Sequence, residues 1–352
     1  QTGMVGAYGE QLLDWLNTYT FPCESQFADK AHAEEVAGIF IKELLRNGTT
    51  TALVFGSVHP QSVDAFFEQA QKLDLRMIAG KVMMDRNAPD YLTDTAESSY
   101  EQSKALIERW HGKGRLHYAV TPRFAPTSTP EQLTLAGQLL SEYPDLYMQT
   151  HISENLQEIE WVKELFPERK GYLDVYDHYQ LLGERSVFAH GVHLCDDECA
   201  RLAETGSAVA FCPTSNFFLG SGLFNLPMAE KHNLNVGLGT DVGAGTSFSL
   251  LHTLNEAYKV MQLQGARLSP FKSLYLATLG GARALRLEDR IGTLQPGTDA
   301  DFLVLDYHAT PLLSYRLQQA NNIAETLFVL MTLGDDRTVL QTYAAGNLVH
   351  QR

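Results

Sequence analysis

Cysteine is scarce in this chain. Cys23, Cys195, Cys199 and Cys212 are the only four among 352 residues, and no two stand as C-x-x-C. That excludes a disulfide framework, and free thiols of this kind fit a reducing, cytoplasmic compartment. Basic charge is also short. The 27 Lys and Arg are outnumbered by 42 Asp and Glu, the formal net charge is −15, and no extended Lys/Arg run occurs. Such a surface repels phosphate backbones and anionic bilayers, so neither nucleic acid nor a membrane surface is expected as a partner. No apolar run approaches ~20 residues, so no membrane-spanning helix is expected. A G-x-G-x-x-G turn is missing too. The one glycine-rich loop, "GLGTDVGAG" (237–245), follows the last strand-like run and carries Asp241 in its middle, which argues against a dinucleotide-phosphate cradle. His32 and Glu34 form an H-x-E, but no P-C-x-x-C follows anywhere, so a cytidine-type zinc deaminase is excluded.

What remains is an ordinary globular composition, 44% hydrophobic and 20% charged, with a strong rhythm. Short apolar, β-branched runs end in polar residues at 49–59, 76–85, 116–126, 146–155, 186–194, 208–216 and 235–245. Amphipathic stretches separate them. The stretch 33–48 has apolar residues at helical spacing and closes on Asn47-Gly48, a C-cap signal. The stretch 62–73 opens on Ser62 and 129–143 opens on Thr129, both read as N-caps. Alternating strands and helices with continuous apolar strands predict a parallel sheet. Seven such units predict an α/β fold of (β/α)8 TIM type with one strand missing from this chain. After Arg290 the texture changes. The stretches 291–306 and 339–352 read as strand pairs with turn residues and no helix between strands. The expected organisation is a barrel over 1–290 and a small β segment over 291–352. Two or three strands do not make a stable sandwich alone, so this segment needs partners from elsewhere.

In a TIM-type barrel the chemistry sits at the C-terminal ends of the strands. The residues there are Arg123, His151, Glu154, His190, Ser215, Asn216 and Asp241. His151, His190 and Asp241 supply imidazole and carboxylate donors in one register on separate strands, which points to a metal site. Glu154, three residues past His151, suits a carboxylate that moves protons beside it. Arg123 reads either as a ligand donor or as half of a salt bridge at the barrel rim. His193 falls on the opposite face of its strand from His190. Leu250, Leu251, Leu254, Ala257, Tyr258 and Met261 are helical core.

The stretches "THISE" (150–154), "FAHG" (188–191) and "GLGTD" (237–241) stand in the order of the metal-site positions of the amidohydrolase superfamily, which the chain resembles. The tail 291–306 is similar to that superfamily's β-sandwich segment. "WLNTYTFPCE", "NGTTTA", "VTPRF", "HISEN", "CPTSN", "GLGTDVGAGTSFSLL" and "LATLGGARALRL" narrow the resemblance to the guanine deaminase family. That resemblance implies hydrolytic deamination of guanine to xanthine and ammonia by a zinc-activated hydroxide, in a cytoplasmic homodimer with one Zn2+ per subunit. It implies His151 and Asp241 as metal ligands, with an H-x-H pair expected upstream of Gln1, and Glu154, Asp241 and His190 as catalytic groups. Guanine would meet Gln1, Arg123 and Phe124 together with His151, Glu154, His190 and Asp241. The chain is accordingly expected to lack an N-terminal segment that carries strand 1 and the H-x-H pair. Two alternatives follow from the same residues: a related amidohydrolase acting on an adenine-, cytosine- or triazine-type ring, or a metal-free, non-catalytic barrel if Gln1 is the true start.

Overall fold

The computed structural model describes residues 1–8 and 12–352. Its centre is a parallel sheet built from β1 (Thr51–Phe55), β2 (Arg76–Gly80), β3 (Val82–Met83), β4 (Leu116–Pro122), β5 (Tyr147–Ile152), β6 (Ser186–His190), β7 (Ala208–Phe211) and β8 (Asn235–Leu238). The order is β1-β2-β4-β5-β6-β7-β8, with the short β3 alongside β4. Each long strand neighbours the next in sequence, so the sheet winds in one sense and curls as a TIM-type barrel does. Among the described residues no pairing joins β1 to β8. All seven sequence-derived strands are present, and the run at 76–85 divides into β2 and β3.

The elements follow from local chemistry. Helix Lys30–Arg46 buries Ala33, Ala37, Ile41, Leu44 and Leu45, one stripe at helical spacing. Asp29 caps it by accepting the Ala31 N–H at 2.9 Å. Gly48 leaves it with φ +83°, the left-handed step that the Asn-Gly signal predicts. Thr129 caps helix Pro130–Glu142 by accepting the Gln132 N–H at 3.2 Å. The Ser62 cap is a correction. Its helix runs Pro60–Lys72, with His59 at the cap. A proline at the first helical position starts the helix earlier because its missing N–H needs no partner there. Ser62 lies in the first turn, donates to the His59 carbonyl at 2.7 Å and accepts the Ser57 N–H at 3.1 Å.

The C-terminal segment departs most from expectation. Of 291–306 only β9 (Phe302–Leu305) is a strand, because Gly292, Pro296 and Gly297 break the run before it. Two helices, Pro311–Leu317 and Ile323–Leu333, then intervene before β10 (Val339–Ala344) and β11 (Asn347–Gln351). Their start signals are ordinary: Thr310 before Pro311, and Asn322 accepting the Glu325 N–H at 3.0 Å. The three strands pair antiparallel as β11-β10-β9. Thr342 of β10 donates to the Leu45 carbonyl at 2.7 Å, and Tyr258 meets Phe328 edge-on at 5.0 Å, so this segment is packed against the helices of the parallel sheet.

A buried ion cluster closes the N-terminal ends of β2 and β4. Arg76 reaches Asp299 at 2.5 Å. Arg115 reaches Asp299 at 3.2 Å and both carboxylate oxygens of Asp301 at 2.7–2.8 Å. Asp301 also accepts the Ala345 N–H at 2.7 Å. All four cysteines are free thiols, and no helix among the described residues is long and apolar enough to cross a membrane.

Candidate active site

At the other end of the sheet, the strands deliver His151, Glu154, His190 and Asp241 to one cavity, which also touches Gln1, Arg123 and Phe124. Register does part of this. In the β5–β6 ladder His151 lies opposite Ala189 and Ile152 opposite His190, so the two imidazoles emerge on adjacent strand ends. Their rings stack at 5.4 Å with 20° between planes, and Phe55 of β1 packs on His151 at 4.4 Å. Backbone turns do the rest. Ser153 (φ +46°), His190 (φ +71°) and Asp241 (φ +48°) all take left-handed conformations, which swing the chain out of each strand just where a functional group is needed.

Each imidazole has one nitrogen committed. His151 Nδ1 lies 2.7 Å from the Arg123 carbonyl, which can only accept, so Nδ1 carries the hydrogen and Nε2 keeps a lone pair. His190 Nδ1 lies 2.9 Å from Asn216 Oδ1 and is held the same way. Its Nε2 faces Glu154 at 3.5 Å and Asp241 at 3.9 Å. Burial, with the charge of His190 adding to it, pulls the His151 pKa down to about 4. For His190 burial opposes the charged form, but the carboxylates of Glu154 and Asp241 outweigh it and the net shift is upward. Glu154 is 3% exposed, and its burial pushes the carboxyl up to about 7. Ser221 donates to it at 3.3 Å. Glu158 steadies its backbone by accepting the N–H of Glu154 and of Asn155 at 2.9 and 3.0 Å, and Tyr172 in turn donates to Glu158 at 2.6 Å.

Donor atoms of His151, His190 and Asp241 lie within 4.8 Å of one another. With both Nδ1 atoms turned away, two imidazole Nε2 atoms and a carboxylate face inward, and two imidazoles with a carboxylate suit a divalent transition metal once both rings are neutral. The donor set therefore fits a metal ion.

The rest of the cavity is a mixed wall. Phe124 is 3% exposed, and Leu12, Trp15, Leu16, Leu219 and Ala244 supply apolar surface. The few convergent polar groups set among apolar side chains suit a small heterocycle. Arg123 forms a buried ion pair with Glu24 at 2.7 Å, as one of its sequence readings expects, and it also lines the cavity. Gln1 donates to the same carboxylate at 2.8 Å. Ser215 stays out of the cavity lining and donates to the Cys212 carbonyl at 3.3 Å, so it serves the helix start. Asn216 acts through His190. His193 is not on the strand at all: β6 ends at His190, and His193 sits in the turn beyond, with Nε2 2.9 Å from the Ser221 carbonyl. Sequence reasoning passed over Glu24, Ser221 and Phe55. Glu24 closes the "TFPCE" stretch, and a carboxylate after a Pro-containing apolar run was the available signal.

The amidohydrolase family model matches residues 1–349. The guanine deaminase of Escherichia coli (strain K12) is 62% identical over 352 residues, all of this chain and 80% of that protein. Its solved structure superimposes with a TM-score of 0.99, covering 100% of this chain and 82% of that one. A probable guanine deaminase of Deinococcus radiodurans is 45% identical, over all of this chain and 81% of that protein. A guanine deaminase structure from C. acetobutylicum with bound guanine in its active site matches at 32% identity and a TM-score of 0.93, over 99% of this chain and 83% of that one. A curled parallel sheet, a His-His-Asp group at its C-terminal end and these relatives agree: the chain belongs to the amidohydrolase family, on the branch that holds the guanine deaminases.

Proposed function

We propose that the protein hydrolyses guanine to xanthine and ammonia. The observation that carries this reading is the convergence of His151, His190, Asp241 and Glu154 in the same cavity as Arg123, Gln1 and Phe124. His151 and Asp241 would hold a Zn2+ ion, which when bound would supply the Lewis acidity that makes water a competent nucleophile near neutral pH. Arg123 donates from its guanidinium to the oxo group of the base, and Gln1 meets the neighbouring edge. Phe124 packs on the ring. This pose turns the amino-bearing carbon toward His190 and Glu154. Glu154 accepts the proton of the attacking water and returns it to the adjacent ring nitrogen. Asp241 takes the remaining proton and delivers it to the departing amine, which leaves as ammonia. His190, held by Asn216, hydrogen-bonds the incoming oxygen.

The full-length gene product should convert guanine to xanthine with release of one ammonia per turnover. A chelator should abolish this, and Zn2+ should restore it. Turnover of adenine, cytosine or a triazine in preference to guanine would overturn the substrate assignment. Guanine turnover undiminished by complete metal removal would overturn the metal's role. The family resemblance further supports a homodimer, which sedimentation of the purified protein tests, and a cytoplasmic location, which cell fractionation tests.

A further inference from the structure

Glu24 is not among the residues that line the cavity, yet it is 3% exposed and takes three hydrogen bonds from two residues that do. Arg123 Nη1 donates to Oε2 at 2.7 Å, Arg123 Nη2 to Oε1 at 3.1 Å, and Gln1 Nε2 to Oε1 at 2.8 Å. The bidentate pairing fixes the plane of the guanidinium. The bond from Gln1 fixes which end of its amide is which. With Nε2 spent on Glu24, Oε1 lies over Gly243, where even a Cβ would come within 2.2 Å of it. Phe21 packs against the guanidinium at 5.6 Å. The two polar groups of the wall are therefore set by a third residue, 99 positions away from Arg123 in sequence. Burial alone would raise the Glu24 carboxyl, but the charge and hydrogen bonds of Arg123, together with the amino group and side-chain amide of Gln1, reverse that and hold it below the usual range.

We infer that Glu24 is a positioning and specificity residue of the substrate site: it aligns Arg123 and Gln1 and cancels the charge of Arg123, so that the pocket accepts a neutral oxo-purine and disfavours an anionic one. An unpaired guanidinium attracts any carboxylate-like or enolate-like ligand. A guanidinium already paired with a carboxylate keeps its remaining N–H donors for a neutral carbonyl but offers no net charge. The inference rests on the guanine reading given above.

The test is Glu24→Gln in the zinc-loaded, full-length protein, with guanine as substrate and urate, an anionic purine at neutral pH, as competitive probe. The unsubstituted protein is assayed first, and absence of guanine turnover there would refute the reaction rather than the role of Glu24. The expected result is a KM for guanine raised about ten- to a hundredfold, with kcat reduced far less, because a charge-assisted contact that orders the pocket is lost. Urate inhibition should strengthen at the same time, and zinc content should stay at its original value. Glu24→Asp, which keeps the charge, should leave urate inhibition weak even where the shorter side chain raises KM. Unchanged KM and unchanged urate affinity in Glu24→Gln would overturn the inference. So would a joint fall of kcat, zinc content and melting temperature with urate affinity unmoved, since that pattern marks a purely structural ion pair.

Discussion

Asp301 and Glu154 both have buried carboxylates, and they lie at opposite ends of the same parallel sheet. Asp301 sits under the N-terminal ends of β2 and β4, with both oxygens on Arg115 and a backbone N–H besides. Glu154 sits past the C-terminal end of β5, with one serine hydroxyl at 3.3 Å and an imidazole at 3.5 Å. The first group is saturated by donors, with Arg115 on both oxygens and the Ala345 N–H on one, so removal of the carboxylate would break a buried network. The second is undersupplied with donors, and its burial lifts the pKa to about 7, where gaining and losing a proton are nearly balanced. One residue class thus does two jobs, and the number of donors around it decides which. A TIM-type sheet separates the jobs by polarity: stability at the strand starts, chemistry at the strand ends.

Substitutions at the two ends should separate cleanly. Glu154→Gln keeps the shape and removes the proton carrier. It should cut kcat for guanine by about 10³-fold, within the range of general acid–base contributions, while bound metal measured by atomic absorption stays at wild-type stoichiometry. Retention of most turnover would break the contrast. Asp301→Ala leaves Arg115 with only its longer carboxylate contact, to Asp299 at 3.2 Å, and strips the Ala345 N–H of its acceptor. It should lower unfolding free energy by about 3 kcal/mol in denaturant titration, with kcat of the folded protein unchanged. A loss of kcat without a loss of stability would reverse the assignment of the two ends.

A pH titration sharpens the same point. His117, at the start of β4, has its pKa lowered to about 4 by burial first and by the charges of His111 and Arg76 after that. Unfolded, it titrates near 6.5, the ordinary imidazole value. Between these values the unfolded chain binds a proton that the folded chain refuses. The neutral ring therefore contributes stability above pH 6.5 that is lost progressively as pH falls toward about 4. Replacing His117 by Gln should flatten the stability profile in that window, as read from melting temperature against pH. A profile of unchanged slope would sink the assignment. The smallest effect expected is Thr342→Val, which removes the hydroxyl bond to Leu45 and leaves that carbonyl with its bond from the Gly48 N–H alone. A loss of about 1 kcal/mol is expected, without change in KM.

Periodicity made the parallel sheet legible, because apolar strands and amphipathic helices differ in spacing, and each strand is short and local. The strand ends were legible for the same reason: once the strands are placed, His151, His190 and Asp241 fall in one register. What escaped was non-local. Glu24 is tied to Arg123 by a bond across 99 residues, and no spacing rule reaches that far. The helices Pro311–Leu317 and Ile323–Leu333 escaped because turn-rich sequence on both sides suggested an all-β segment, although Thr310 and Asn322 carried the cap signals. The three left-handed backbone positions at the site were invisible too, since none is glycine.

Those backbone positions bear on redesign. His190 and Asp241 hold φ values of +71° and +48° that glycine would adopt with less strain, at about 1 kcal/mol each. A stabilisation campaign that ranks substitutions by backbone comfort would put glycine at both, and every step would look like progress by melting temperature. The end product would be a sturdier sheet with no functional groups at its strand ends. Libraries built for thermal tolerance should hold these two positions constant and seek their gains at the strand starts, where comfort and purpose coincide.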